Sequence, residues 1–165
     1  AFIEELNGLI GPIHEKLTGG RESLEVKYEP SVEIWDFERM LRQKRDSDIR
    51  LKTTNIGPHR DDISFFVKGV DIRKFGSQGQ QRTAALSLKL AEIQLVKQMI
   101  HDTPVLLLDD VLSELDSFRQ NYLLDSIQDI QTIITCTGLD EFVNNRFNID
   151  RVFKVVEGTL ETVNE

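Results

Sequence analysis

Hydrophobic residues in the first third of the chain recur at helical spacing and then alternate as in a strand. Residues 1–17 carry apolar side chains at helical intervals, and Thr18-Gly19-Gly20 ends the predicted helix. Residues 23–28 alternate between apolar and charged positions, which predicts a strand. The pattern next predicts a helix with a charged outer face over 34–45. It is weak over 46–58, where we expect a short strand and a turn.

The middle of the chain predicts a hairpin followed by a long helix. Apolar residues alternate from Ile63 to Ile72, and Lys68-Gly69 supplies the turn between two strands. The turn FGSQG then leads into a helix predicted from about Gln78 to Ile100. Its apolar residues cover most of the circumference, which indicates burial on more than one side.

Strands and helices alternate after Pro104. Val105–Leu108 is a continuous apolar run, typical of a parallel strand that is covered on both faces. The further predicted elements are a helix over 117–127, a strand over 132–135, a short helix over 139–145 and terminal strands over 152–156 and 159–163. This order predicts an α/β fold with a mainly parallel sheet.

Composition narrows the class of protein. The chain has 165 residues, of which 39% are hydrophobic, so a packed core is expected. Its single cysteine, Cys136, excludes an internal disulfide and a cysteine-rich zinc site, and favours a reducing compartment. No apolar run approaches the ~20 residues that span a bilayer. Because the chain does not begin with Met, we expect it to be a piece of a longer protein.

Charge is distributed unevenly. The net charge is −8, but residues 39–82 hold eleven basic and five acidic residues between two acidic flanks. This block predicts a local surface that faces an anion, although a solvated helix face would have the same composition. Trp35 and Phe37, in the predicted charged helix, are expected in the core rather than on a base-stacking surface. The candidate DNA-facing residues are Arg39, Arg42, Arg45, Arg50, Lys52 and Arg60.

Three short motifs carry candidate chemistry. Asp109 and Asp110 end a predicted buried strand, where α/β sheets bind ligands and where paired carboxylates suit a magnesium ion. Ser77 and Gln80 fit a capping box at the start of the long helix. The same helix N-terminus is a potential phosphate site. Asp116 is a candidate N-cap for the following helix.

In this order, the motifs resemble the C-terminal half of an ABC-type ATPase head. SQGQQ resembles the signature loop with Gln78 in place of a glycine, and VLLLDD resembles Walker B with Asp110 where glutamate is usual. SELD, ending at Asp116, resembles the D-loop. The finer resemblance is to the RecF family of bacterial recombination-mediator ATPases. It runs from about Leu24 to Val156 and rests on GPHRDD (57–62), FGSQGQQR (75–82), LSLKLAE (86–92) and LLLDDVLSELD (106–116).

The resemblance implies a role for each motif residue. Asp109 would hold Mg²⁺ through water, and Asp110 would orient or deprotonate the attacking water. Asp116 would lie at a dimer interface near both nucleotides. Cys136 stands where transporter relatives have a switch histidine, and we expect it to be a small packed residue. The residues implied to contact the γ-phosphate of ATP bound to the opposite subunit are Ser77, Gln78, Gly79 and Gln80.

The resemblance also implies a domain arrangement. Residues 1–52 would belong to a helical or lid lobe, and residues 53–165 would be the C-terminal half of the ATPase domain. The P-loop pattern G-x-x-x-x-G-K-[ST] occurs nowhere in the chain. We therefore expect the Walker A half upstream, and we expect the chain alone not to hydrolyse ATP.

The function implied is that of a cytoplasmic mediator in DNA replication, recombination and repair. It would bind ATP and Mg²⁺, dimerise over two nucleotides and hydrolyse ATP weakly, stimulated by double-stranded or gapped DNA. Its partners would be RecR and RecO, which promote RecA loading. Three alternatives remain open: a transporter nucleotide-binding subunit, a head of the chromosome-structure (SMC) type, and a non-catalytic docking module for a repair partner.

Overall fold

The computed structural model describes residues 2–137 and 149–163. These residues fall into two compact units, Ala1–Asp102 and Thr103–Glu165. No helix within the described residues is long and apolar enough to cross a membrane.

The first unit is built on a three-stranded antiparallel sheet, β1 (Leu24–Glu29), β2 (Asp62–Val67) and β3 (Val70–Asp71). Helices α1 (Phe2–Leu17) and α4 (Gln78–Ile100) pack against each other, and α1 also packs on β1. The unit's core contains the apolar side chains of Leu6, Ile10, Ile13, Leu17, Leu24, Val26, Leu90 and Ala91. The predicted bounds of α4 are confirmed. The Ser77 cap begins the helix, and the left-handed backbone of His101 ends it.

The region between β1 and β2 differs from the expectation. Helix α2 spans Phe37–Leu51, so the strand expected after Arg45 is absent and the helix continues instead. Trp35 precedes the helix and is 81% exposed, so its predicted place in the core is wrong. No residue of α2 is buried. The amphipathic pattern predicted a helix here, but because no fully buried residue marks its limits, the pattern did not locate the ends.

The hairpin is confirmed, but its second strand is short. Ile72 begins a helical turn, α3 (Ile72–Phe75), instead of continuing β3. Asp71 caps this turn by accepting a hydrogen bond from the Arg73 backbone N–H, 2.9 Å away. This cap ends the strand, because the chain must turn directly toward α4.

The second unit contains the predicted parallel pair. Strand β4 (Leu106–Asp109) lies parallel to β5 (Thr132–Thr135), with α5 (Ser117–Ser126) between them in sequence. The predicted burial on both faces is wrong for the described residues, since Leu107 is 71% exposed whereas Leu108 is buried. Strands β6 (Val152–Val156) and β7 (Thr159–Val163) form an antiparallel hairpin at the predicted positions. The helix expected over 139–145 lies outside the described residues.

Candidate functional site

The turn before α4 is a doubly closed capping box. Ser77 has an extended backbone, and its Oγ accepts the Gln80 backbone N–H at 3.2 Å. In return, Gln80 Oε1 accepts the Ser77 backbone N–H at 3.0 Å. The structural interpretation of SQGQ is therefore confirmed, and it does not exclude the anion site, because the cap also holds the helix N-terminus in a fixed shape. We call residues 77–80 the signature turn.

The outer side of the signature turn is open. Ser77, Gln78 and Gly79 are exposed, and a Cβ added to Gly79 would meet only Ser77 Oγ, at 3.9 Å. The chain's own packing therefore does not require glycine at position 79. The turn stands at the N-terminus of a helix of 23 residues, where the helix dipole and the first N–H groups favour an anion.

Two residues that support the signature turn were missed from the sequence. A Cβ on Gly76 would lie 2.5 Å from the Ile72 carbonyl oxygen, so close packing against α3 requires glycine there. Gln81 Nε2 donates to that same carbonyl at 2.9 Å. These contacts join α3 to α4, and only the sharp turn between the two helices creates them.

In the second unit, Asp109 and Asp110 follow each other at the carboxyl end of β4, as predicted. Asp110 has a left-handed backbone with φ of 49°, which aspartate tolerates better than most residues. Its backbone N–H donates to both Thr135 O and Thr135 Oγ1, each at 3.1 Å. Thr135 Oγ1 in turn donates to Asp109 Oδ1. Thr135 was not singled out from the sequence, because it becomes a neighbour only through the parallel register of β5.

This edge presents two exposed carboxylates in a defined backbone shape. The oxygen donors suit Mg²⁺, which prefers oxygen ligands and keeps several waters. Among the described residues, no group of three histidine, cysteine, aspartate or glutamate residues is arranged to hold a metal ion. The edge therefore offers two carboxylates as oxygen ligands, and the described residues place no third histidine, cysteine or acidic side chain beside them.

Asp116 is the N-cap of α5, which confirms the structural role predicted for it besides its resemblance to a D-loop residue. Its Oδ1 accepts the Arg119 backbone N–H at 3.0 Å, and Oδ2 forms an ion pair with the Arg119 guanidinium. The backbone N–H and the charge of Arg119 hold the pKa of Asp116 below its ordinary value. The carboxylate is thus ionised and already engaged within its own unit.

Asp116→Ala is expected to destabilise the full-length protein by about 1 kcal/mol, whereas Asp116→Asn keeps most of the stability. Asparagine caps a helix as well as aspartate does, but it cannot form the ion pair. Because the folded pKa is lowered, the carboxylate's contribution is present above about pH 4 and is lost as the pH falls through the folded value. Urea denaturation of the three proteins measures this, and equal losses for alanine and asparagine would contradict the cap.

The predicted basic residues lie on the surface, as expected. All six are exposed: Arg39, Arg42, Arg45, Arg50, Lys52 and Arg60. Arg39 pairs with Asp36 and Arg42 with Glu38, each at 2.5 Å. Among the residues that the structure describes, Arg45, Arg50 and Lys52 form no ion pair.

The loop around GPHRDD is held by local hydrogen bonds. His59 Nε2 lies 2.8 Å from Thr54 O, and Arg60 donates to the same oxygen at 3.1 Å. The local interpretation of His59 is therefore confirmed, and Arg60 is partly engaged. By contrast, Cys136 is exposed, so its predicted packing is wrong.

Comparisons with known proteins agree with the motifs. No family model matches the chain. The chain is 63% identical over 161 residues to the "DNA replication and repair protein RecF" of Lachnoclostridium phytofermentans, covering 98% of this chain and 45% of that protein. The protein of the same name from Clostridium perfringens is 42% identical over 165 residues. The alignment covers 97% of this chain and 46% of that protein. The chain thus spans slightly less than half the length of these relatives.

Solved structures give the same result. A structure described as the recombination mediator protein RecF-ATPrS in the RecFOR pathway matches with a TM-score of 0.75 at 30% identity, covering 99% of this chain and 45% of that chain. A second, described as RecF-ATP, matches with a TM-score of 0.74. The predicted fold class, a portion of an ABC-type ATPase head, is confirmed. In sequence and in fold, this chain is therefore similar to RecF proteins over nearly its whole length and over slightly less than half of theirs.

Proposed function

We propose that the full-length protein is an ATP-dependent, DNA-binding recombination mediator, and that this chain supplies the surface that completes a partner subunit's nucleotide site. The observation that carries the proposal is the signature turn. Its outer side is exposed, its shape is fixed by two reciprocal hydrogen bonds, and it stands at the N-terminus of a long helix. Such a turn suits an anion brought by another subunit.

ATP is the anion we propose, since the matched RecF structures are described with ATP or ATPrS. Ser77, Gln78 and Gly79 would contact its γ-phosphate in trans, and Gln80, whose amide oxygen accepts the Ser77 backbone N–H, would hold the turn in shape for that contact. The Asp116 side chain remains 52% exposed although it is paired with Arg119, which is compatible with a place at the dimer interface. ATP would then hold two subunits together, and hydrolysis would release them.

The carboxylate edge would serve hydrolysis. Asp110, held by Thr135 through its backbone, would accept a proton from the attacking water or orient it. Asp109 would hold Mg²⁺ through water, and the ion, when bound, supplies positive charge next to the phosphates. The chain itself lacks the P-loop, so we expect turnover only from the full-length dimer.

The proposed substrate and partners are those of the RecF proteins that this chain resembles. We propose that the protein acts in the cytoplasm at gapped DNA or at junctions of single and double strands. There it would cooperate with RecR and RecO to promote RecA loading. The RecF structures that match this chain are described as belonging to the RecFOR pathway, which supports this choice.

Helix α2 supports a DNA-facing surface. At about 100° per residue, Arg39, Arg42, Arg45 and Arg50 fall within an arc of about 140°. Lys44 projects from the opposite side of the helix by the same geometry. Because α2 buries none of its residues, this arc is accessible, and its two arginines without an ion pair among the described residues, Arg45 and Arg50, are available to meet phosphates.

We expect Arg45→Glu in the full-length protein to weaken binding to gapped DNA about tenfold, and to reduce the slope of log K against log salt by about one. Lys44→Glu, the same charge change on the adjacent residue, should have a much smaller effect. The measurement is a fluorescence-anisotropy titration with labelled gapped DNA at several salt concentrations, with ATP and without nucleotide. Wild-type binding should be tighter with ATP.

Two results would count against these assignments. Equal effects of the two variants would show that α2 contributes only general charge and has no DNA-facing side. DNA affinity that is the same with and without ATP would reject the proposed coupling, and would favour a non-catalytic docking module.

A further inference from the structure

A buried histidine lies behind the signature turn. His14, on α1, is fully buried between α1 and α4. Its Nδ1 is 2.9 Å from Ser87 Oγ, and Ser87 gives its one hydroxyl proton to Thr83 O at 2.7 Å. Ser87 must therefore accept the hydrogen bond from His14, which places a proton on Nδ1. Burying these polar groups would be costly without such bonds.

One line of hydrogen bonds continues from this histidine to Gly79. Thr83 Oγ1 donates to the Gly79 carbonyl oxygen at 2.7 Å, one helical turn before Thr83. Thr83 and Ser87 are both buried. The inner side of the signature turn is thus joined to α1 through a polar stripe along α4.

A second line reaches the signature turn through a carboxylate. His14 Nε2 lies 3.8 Å from Glu22 Oε2. Glu22 Oε1 accepts a hydrogen bond from Gln80 Nε2 at 3.0 Å. The other end of the same amide, Gln80 Oε1, accepts the Ser77 backbone N–H. Glu22 therefore holds the side chain that closes the capping box.

This arrangement requires an amide at position 80. A capping box works with glutamate as well as with glutamine, because either offers an oxygen to the N-cap N–H. Here the second end of the side chain faces the Glu22 carboxylate, and only an NH₂ group can donate to it. Glutamate at position 80 would keep the cap and place two carboxylates against each other.

We propose that Glu22 is a positioning residue for the signature turn and that it acts through its hydrogen bond with Gln80. The proposal rests on the function proposed above for Ser77. Glu22 is not itself expected to touch nucleotide. Its effect is to fix the Ser77 N–H and hydroxyl before the partner's phosphate arrives, which lowers the entropic cost of forming the dimer.

The test exchanges the two side chains in the full-length protein. Gln80→Glu should weaken ATP-driven dimerisation about tenfold, which is typical for loss of a hydrogen bond to a charged group. Glu22→Gln combined with Gln80→Glu restores a donor facing a carboxylate, and should return dimerisation to within about threefold of wild type. Glu25→Gln, on the exposed side of β1, is the control and should change nothing.

Sedimentation velocity with ATP measures dimerisation, while ATP affinity and thermal stability are followed separately. ATP affinity of the monomer should be the same in all variants, since Glu22 acts only on the surface offered in trans. A double variant no better than Gln80→Glu would overturn the proposal. The proposal would also be overturned if Gln80→Glu dimerises normally while Ser77→Arg does not dimerise. Normal dimerisation of Ser77→Arg would instead reject the proposed function itself.

Discussion

Ser77→Arg in the full-length protein is expected to abolish ATP-driven dimerisation and DNA-stimulated ATP turnover, while ATP still binds to the monomer. Ser77 stands on the exposed side of the signature turn, where the proposed phosphate of the opposite subunit would approach. A long side chain there would occupy that space. The substitution also removes the hydroxyl that caps α4. ATP binding should persist, because the residues implied to cradle the subunit's own nucleotide lie outside this chain.

The matched control is Ser77→Thr. Threonine keeps the hydroxyl and caps nearly as well as serine, so dimerisation should survive. Light scattering with and without ATP, ATP turnover with gapped DNA, and titration of a fluorescent ATP analogue separate the three properties. If Ser77→Arg turns over ATP like the wild type, the capping box is purely structural and the docking module becomes the better interpretation.

Asp110→Asn is expected to reduce ATP turnover by about 10²- to 10⁴-fold, the usual contribution of a general base, while ATP binding and dimerisation persist. Asparagine has nearly the same size and also tolerates the left-handed backbone found at this position. The hydrogen bonds from its backbone N–H to Thr135 should therefore remain. The substitution removes the negative charge of the side chain and its ability to accept a proton.

Asp129→Asn is a suitable control, because it makes the same chemical change at an exposed aspartate outside the motifs. Because the dimer forms but hydrolyses slowly, the variant should accumulate as an ATP-bound dimer in sedimentation experiments. If Asp110→Asn hydrolyses ATP at the wild-type rate, Asp110 has no catalytic role, and Asp109 becomes the carboxylate to test as the base.

Local signals in the sequence were strong enough to predict several helices and strands and the capping residues of two helices. The start of α4 and the Ser77–Gln80 capping box follow from hydrogen bonds between residues three apart in the sequence. Asp116 as an N-cap is local in the same way. Helix α2 shows where prediction from local signals fails. It buries none of its residues, so the hydrophobic pattern did not mark where the helix begins and ends, and Trp35 before it is exposed.

The sequence by itself determined which residues carry candidate chemistry: the signature turn, the paired carboxylates and the basic block. Only the tertiary structure decided what holds them. Glu22 meets Gln80 across 58 positions, His14 meets Ser87 across 73, and Thr135 meets Asp109 across 26. No periodicity or spacing records such contacts, because they arise when α1 and the segment that follows it pack on α4, and when β5 aligns with β4. The chemistry of each side chain can be read from the local sequence, whereas the position of that side chain depends on packing between distant segments.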